Sequence, residues 1–523
     1  MSFVDSQVVV QPQTPQRVRS RDARDPAGVP GGHAALASLA AIGVPVVLMT
    51  VLGVVGLGRQ SGVWQDEAAS MSAAGRTLPQ LIGMLHNVDV VHGFYYVVLH
   101  AWLVPGGGIV WARTLSLIAM VVAAGLVAEL GRRLVSPGLG LLAGLVFAVN
   151  PMSSFYAQEA RSPGIVVMVA LAATLLLVLA LERRALRWWV AYAAVCVLLV
   201  LFNELALLAL AAHAVTVLWW TWRSDVRRQT WLRWFVAAVP AVVVAGALAY
   251  VSHLQAQQVG WISLSSGAFR RLVGLWSGQT VTGLVVALVL CALALLPPRT
   301  ASLRRLRAVA LPLAVVPPAG LLAASLVQPL LVPRYILFTT AGVSLLCAIG
   351  AERLADLVRR GRPAWTGVAT LALVLLVLVV GEAPRQMLNR TPASRVDDTL
   401  WSADVVGRLA RPGDGVLFAP SLRRLDALTS PQAFRGLDDV SLAQDAVAAD
   451  NLWGSELPLP EVESNLRAEQ RVWVVGAPNL HISRGAGAAD AQAELALLDQ
   501  SFRVEQTFPN QGSTVVLYVR SAG

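Results

Sequence analysis

The stretch AALASLAAIGVPVVLMTVLGVVGL, residues 34–57, holds no charged side chain and only Ser38 and Thr50 as polar ones. An α-helix rises 1.5 Å per residue, so about 20 apolar residues cross the ~30 Å hydrocarbon core of a bilayer. Ten further apolar runs follow, at 109–130, 138–150, 164–181, 188–203, 204–221, 234–251, 279–296, 308–327, 334–351 and 364–381. The pattern predicts a polytopic all-α membrane protein with about eleven spans. Composition agrees: of 523 residues 56% are hydrophobic and only 14% charged, with mean hydropathy +0.62. A soluble domain is about 25% charged, so a water-soluble single core is excluded.

The basic residues orient these spans. All 41 are Arg, and the formal net charge is +10. With the N-terminus in the cytoplasm, the cytoplasmic loops carry Arg132 and Arg133, Arg183 to Arg187, Arg223 to Arg233, Arg299 to Arg307, and Arg353 to Arg362. That is the positive-inside pattern of a plasma-membrane protein. Their scatter over many short loops gathers no basic patch, which excludes nucleic acid as a partner. Residues 1–33, rich in Pro, Gly and Arg, read as a disordered cytoplasmic tail and 34–381 as the membrane module. An odd number of spans puts 382–523 outside. The apolar segment 93–104 is too short to cross and reads as an interfacial helix, which makes 58–108 one outer loop.

Residues 382–523 carry no spanning run. A helix at 399–409, strands at 415–418 and 471–475, a helix at 489–502 and a strand at 513–519 predict a small extracytoplasmic α/β domain. No Walker or GxGxxG motif stands in a strand-to-helix setting. Cys196, Cys291 and Cys347 sit in apolar runs without CxxC spacing, so neither a disulfide framework nor a zinc site is indicated.

The polar groups that a membrane chain must explain cluster in the outer loops. Trp64-Gln65-Asp66-Glu67 follows the first span, with Ser70 to Leu85 in amphipathic helical spacing. Asp89, His92 and Tyr95-Tyr96 come next, at the start of the short apolar segment. Glu159 and Arg161 lie in Tyr156-Ala157-Gln158-Glu159-Ala160-Arg161, at the membrane boundary, where ionisable groups are costly unless paired or facing a wet cavity. Pro333-Arg334-Tyr335 opens another span from the same side. The turn Asn203-Glu204, His100, His213, and Arg270 and Arg271 near Trp261 are weaker candidates. A carboxylate can take a proton from an attacking hydroxyl, and an arginine can hold a phosphate through paired hydrogen bonds. The adjacent Asp66 and Glu67 are expected to hinder each other's ionisation and push one pKa upward.

These motifs together resemble the polyprenyl-phosphate-sugar-dependent glycosyltransferases of the GT-C superfold. The resemblance is to the family 39-like branch, of actinobacterial type, which includes protein O-mannosyltransferases and the lipid A aminoarabinose transferase. It implies inverting transfer of a sugar, mannose or arabinofuranose-like, from a polyprenyl-phosphate donor to a glycan, glycolipid or protein acceptor in the cell envelope. It implies Asp66 as general base, with Glu67 sharing that role or positioning the acceptor. Asp89, His92, Tyr96, Glu159 and Arg161 then shape the substrate sites, and Arg334 with Tyr335 binds the lipid phosphate. No cofactor or metal ligand is assigned, although outer carboxylates suit a divalent cation. The chain departs from the commonest pattern at Gly93-Phe94 and at Ser162-Pro163. The rival readings are a transporter and a non-catalytic envelope scaffold. A transporter usually shows inverted repeats and mid-membrane charges, and neither is visible here.

Overall fold

The computed structural model describes residues 32–58, 62–222, 225–255, 266–395, 397–482 and 487–521. All but the end of the predicted tail, and also Trp261, lie outside the described residues. Each of the eleven apolar runs folds as a helix: Gly32–Val54, Ile109–Leu134, Pro137–Val149, Pro163–Arg183, Leu186–Phe202, Leu208–Thr221, Arg227–Leu254, Val281–Leu295, Ala301–Ser325, Thr339–Arg359 and Trp365–Leu388. Among the described residues, seven helices are long and apolar enough to cross a membrane unaided. Two bent pairs raise this to nine: Pro137–Val149 with Pro151–Ala157, bent by 66°, and Ser266–Ser277 with Val281–Leu295, bent by 69°. Leu186–Phe202 is shorter, at 17 residues. The last turns of Thr339–Arg359 carry Glu352, Arg353, Asp356 and Arg359.

The chain is a multi-pass membrane protein. Its most central helix, Pro163–Arg183, is 72% buried over its most apolar window, whereas the first and last apolar helices are 17% buried. Their exposed Leu36, Val47, Val368 and Leu373 face outward as apolar surface does when lipid is the solvent. Small residues let neighbouring backbones close. A Cβ on Gly140 would lie 2.4 Å from the Ala128 carbonyl oxygen, so only glycine permits the contact between Ile109–Leu134 and Pro137–Val149.

The loop 58–108 differs from the single amphipathic helix expected after Ser70. It forms two helices, Gln65–Ala74 and Leu78–Asn87, which break at Gly75 to Thr77. The second is capped where the Thr77 backbone N–H donates to Gln80 Oε1 at 3.0 Å. The short apolar segment is the helix Gly93–Leu103.

The last membrane helix runs to Leu388, past the expected boundary at 381. The C-terminal domain contains strands β1 Gly415–Ala419, β2 Asp438–Asp439, β3 Leu442–Gln444, β4 Ser455–Glu456, β5 Arg471–Gly476, β6 Phe502–Pro509 and β7 Thr514–Arg520. Five form one sheet in the order β2-β1-β5-β7-β6, with β2, β1 and β5 parallel and the other pairings antiparallel. Alternate residues of β1 and β5 pack on opposite faces, Leu417 and Val474 against Leu466 and Leu498, Phe418 and Trp473 beside Val405 and Val406. Both faces are therefore buried, which explains why these strands read as continuous apolar runs.

Long-range bonds tie this domain to the loop. Asp397 Oδ1 accepts from the Gln65 backbone N–H at 3.1 Å, and the Thr399 N–H donates to the Val63 carbonyl at 2.8 Å. Arg76, just past the helix Gln65–Ala74, donates to the Ala446 and Asn451 carbonyls. From below, Arg113 grips the same helix: Nε and Nη2 donate to Glu67 Oε1 and Oε2 at 2.8 and 2.7 Å, with both side chains fully buried. Breaking such a pair from one side costs about 3–5 kcal/mol, because a buried charge is left uncompensated. Arg113→Met should therefore lower the unfolding temperature of the purified protein more than the double change Glu67→Met/Arg113→Met does. Equal losses in the two variants would show that shape rather than charge pairing matters here.

Candidate active site between two chambers

Asp66 stands one residue into its helix and faces two guanidinium groups. Its Oδ2 lies 2.9 Å from Arg334 Nη2 and 3.6 Å from Arg161 Nη2. Burial works to raise the Asp66 carboxyl. The charges of Arg161 and Arg334 outweigh it and hold the group below the usual carboxylate range. The expected upward push from Glu67 is thus corrected by the structure. Adjacent helical residues point about 100° apart, and Glu67 turns away from Asp66 to Arg113 and to the Ala160 N–H, 2.8 Å from its Oε1. It lines neither cavity described below, so its geometry is that of an anchor and not of the shared role expected for it. Its own pKa is lowered, since the bonds to Arg113 overcome burial.

Arg161 organises the far side of Asp66. Its Nη1 donates to the Asp66 carbonyl and Ser70 Oγ, both at 3.2 Å, and to the Tyr96 hydroxyl at 3.5 Å. Its Nη2 lies 2.9 Å from His92 Nε2. Burial, aided by the Arg161 charge, pushes His92 down to about 4, so near pH 7 its neutral Nε2 accepts that bond. Tyr96 donates to Asp89, which adopts a left-handed φ of 63° just before the turn into the short helix. The sequence-predicted Asp66, Asp89, His92, Tyr96 and Arg161 are therefore one connected network. Glu159 and Arg161 form no pair with each other. Glu159 approaches Arg395 at 3.9 Å, is 1% exposed, and has an Oε2 without a hydrogen-bond partner. Burial, only partly offset by Arg395, pushes it up to about 7.

Two cavities of about 630 and 740 Å³ meet at this network, sharing Gln65, Asp66 and Arg334 as a common wall. The first chamber is lined by apolar groups such as Trp64, Phe155, Leu275 and Val332, with Glu159 and the arginines 271, 385 and 395 among them. The second is lined by Asp89, His92, Arg161 and Tyr335, and beyond them by residues of the C-terminal domain. Arg334 spans both, its guanidinium 5.3 Å from the Trp64 ring and 5.9 Å from the Tyr335 ring. Among the described residues, no three His, Cys, Asp or Glu side chains are grouped to hold a metal ion. His213 and His100 belong to packing: His213 sits between Tyr192 and Thr174, and His100 against the Ala74 carbonyl.

No protein-family model matches the chain, and no curated protein sequence matches it. Solved structures do. ArnT from Cupriavidus metallidurans bound to undecaprenyl phosphate superimposes with a TM-score of 0.53 at 15% identity, over 91% of this chain and 97% of that one. Its apo state gives 0.53 at 14%, over 93% and 98%. The Archaeoglobus fulgidus oligosaccharyltransferase tethered to an acceptor peptide gives 0.51 at 11%, over 93% of this chain and 74% of that one. The fold is GT-C. The likeness spans the membrane module and most of the C-terminal domain together.

Within this GT-C architecture, four residues of the site escaped the sequence reading. Arg113 reads as one more residue of a span, yet it holds Glu67. Trp64 packs under Arg334. Arg395 stacks 4.0 Å from the Phe155 ring and donates to the Gln158 carbonyl at 3.0 Å. Asp397, raised to about 6 by burial, caps the helix Gln65–Ala74 and lines the first chamber. Their partners lie 46 to 332 residues away in the chain, so local spacing carries no signal for them.

The folded Glu159 carboxyl titrates at about 7 and its ordinary value is 4.5. Between these values the unfolded chain loses its proton first, so stability falls as pH rises through that window. The loss is at most roughly 3 kcal/mol. Glu159→Gln should flatten the dependence of unfolding temperature on pH between 5 and 8. Parallel profiles for variant and wild type would remove Glu159 as the titrating group.

Proposed function

We propose that this protein is an inverting glycosyltransferase that takes a hexose or pentose, mannose or arabinofuranose-like, from a polyprenyl-phosphate donor. One observation carries the reading: an ionised carboxylate, Asp66, stands in the wall between an arginine-lined amphipathic chamber and a second, polar one. The lipid phosphate suits the first chamber, where Arg334 and the arginines 271, 385 and 395 meet an apolar lining. The acceptor hydroxyl suits the second. As the hydroxyl oxygen bonds to the sugar C1, its proton passes to Asp66. The C1–O bond to phosphate breaks, and its electron pair leaves on the phosphate. Attack from one chamber and departure into the other inverts the anomeric centre. The donor phosphate also competes for Arg334. Drawing that guanidinium away from Asp66 removes one of the two charges that depress its pKa and makes it a stronger base.

The orientation follows the same reading. The helix Ile109–Leu134 carries Arg113 at its site end and Arg132 and Arg133 at the other, and Pro163–Arg183 likewise starts beside Arg161 and ends in Arg183. The basic loops thus lie opposite the site, which the positive-inside rule reads as a cytoplasmic face opposite an extracytoplasmic site. The C-terminal domain, which lines the second chamber, is then extracytoplasmic.

Asp66→Asn is nearly isosteric. General-base assistance is worth about 10²–10⁴-fold, so initial rates with polyprenyl-phosphate sugars at saturating donor should fall by that factor. Glu67→Gln should act mainly through stability. If Asp66→Asn keeps normal turnover while Asp89→Asn loses it, the base is Asp89. Orientation is read separately from surface cysteines. Gln432→Cys in the C-terminal domain should react with an impermeant thiol reagent in intact cells, and Gln229→Cys should not. The reverse pattern would overturn the topology.

A further inference from the structure

The second chamber extends well beyond the membrane module. Its far wall is made by Pro420 to Leu422, Trp453 to Glu456, Gly487 and Asp490 of the C-terminal domain. Pro420 to Leu422 directly follow the carboxyl end of β1. That strand is flanked by β2 on one side and β5 on the other, both parallel to it, so the chain passes from β1 to β2 on one side and later enters the sheet again at β5 on the other. Ligands of open α/β sheets bind at such a switch point, outside the carboxyl ends of the strands. Here that crevice opens onto Asp66.

The parts of this wall are rigidly set. Asn451 Oδ1 accepts from the Trp453 and Gly454 N–H groups at 2.9 and 2.6 Å. Gly454 has a φ of 88°, and a Cβ there would lie 2.5 Å from the Gln444 carbonyl oxygen. Arg76 binds the Asn451 carbonyl from the end of the catalytic helix. The loop that presents Trp453 is therefore fixed relative to Asp66.

The two chambers differ in charge. The first sets four arginines against the carboxylates Asp66, Glu159 and Asp397. The second has Asp66, Asp89, Glu456 and Asp490 against only Arg161 and Arg334 among its described residues, and both of these face Asp66. Glu456 also has Arg424 at 3.4 Å, behind the wall. A phosphorylated acceptor would meet repulsion there. A neutral, hydroxyl-rich ligand would find carboxylates as hydrogen-bond acceptors, with an indole as a flat apolar face.

We propose that the C-terminal domain forms an acceptor subsite for a neutral glycan, at the carboxyl end of β1, with Trp453, Glu456 and Asp490 as its recognition groups. This rests on the glycosyl-transfer reading for the word acceptor, but the binding can be measured alone. Full-length protein in nanodiscs is titrated with neutral hexasaccharides of mannose, arabinose, glucose and galactose, with singly phosphorylated analogues, and with a serine- and threonine-rich peptide. At least one neutral glycan should bind. Phosphorylation should weaken it at least tenfold. Trp453→Ala and Asp490→Asn should each weaken it at least fivefold, and Trp453→Phe should restore most of the loss at position 453. No binding by any neutral glycan, tighter binding of a phosphorylated one or of the peptide, or binding unchanged in Trp453→Ala and Asp490→Asn overturns the subsite. Release of polyprenyl phosphate from donor reports separately on the transfer reaction. Glycan binding without that release sinks the enzyme and leaves the subsite; transfer indifferent to Trp453 and Asp490 does the opposite.

Discussion

A carboxylate held between two guanidinium groups is the constraint on which the site depends. Asp66 lies near the membrane boundary, where a lone charge is expensive and where two arginines without an anion would be worse. Arg161 and Arg334 come from distant parts of the chain, one just before the helix Pro163–Arg183 and the other before Thr339–Arg359. The triad therefore closes the bundle as it fixes the Asp66 carboxylate. Arg161 extends that constraint through His92, Tyr96 and Asp89, so three residues of the outer loop inherit their positions from one ion cluster. Neutral His92 matters in this arrangement, because a protonated ring beside Arg161 would add like-charge repulsion.

The neighbouring carboxylates Asp66 and Glu67 show how one helix divides two tasks. A helix turns about 100° per residue, so side chains at i and i+1 do not share a face. Glu67 faces inward, where Arg113 and the Ala160 N–H satisfy it. Asp66 faces the chambers. The anchor fixes the helix from the membrane side, and Asp397 and Arg76 fix it from the domain side. A side chain on a short helix gains precision from such support at both ends, which a loop of the same length would lack.

The sequence carried the architecture because length and hydropathy are local properties. Every apolar run became a helix, and three strands of the C-terminal domain, β1, β5 and β7, lie within a residue or two of their expected places. By contrast β6, whose residues after Phe502 are mostly exposed, and the short β2, β3 and β4 were not read from the sequence. The broken helix at Gly75 to Thr77 was missed because Ser70 to Leu85 keeps its amphipathic spacing across the break, and the Thr77–Gln80 cap is a short signal. The site was legible as motifs and illegible as geometry. Asp66 and Glu67 are equivalent on paper, and only the turn of the helix and the remote Arg113 separate them. Arg395 and Asp397 stand at the start of 382–523, in a stretch to which the sequence reading gave no element and no role. Their roles exist only because the C-terminal domain folds back onto the loop.

That folding back also explains why the two chambers can differ in charge while sharing a wall. The transfer proposed above needs one reacting group in reach of both substrates, yet the substrates must not exchange places. The common wall of Asp66 and Arg334 meets the first requirement. The second is met by chemistry from different parts of the chain: arginines 271, 385 and 395, from the membrane helices and the linker after them, surround the first chamber, and carboxylates of the C-terminal domain surround much of the second. On that proposal an anionic lipid phosphate is favoured in the former and repelled from the latter. The pairing of Arg334 with Asp66 couples the two, since the anion that belongs in the first chamber is the species that can draw Arg334 away and leave Asp66 free to accept a proton from the second.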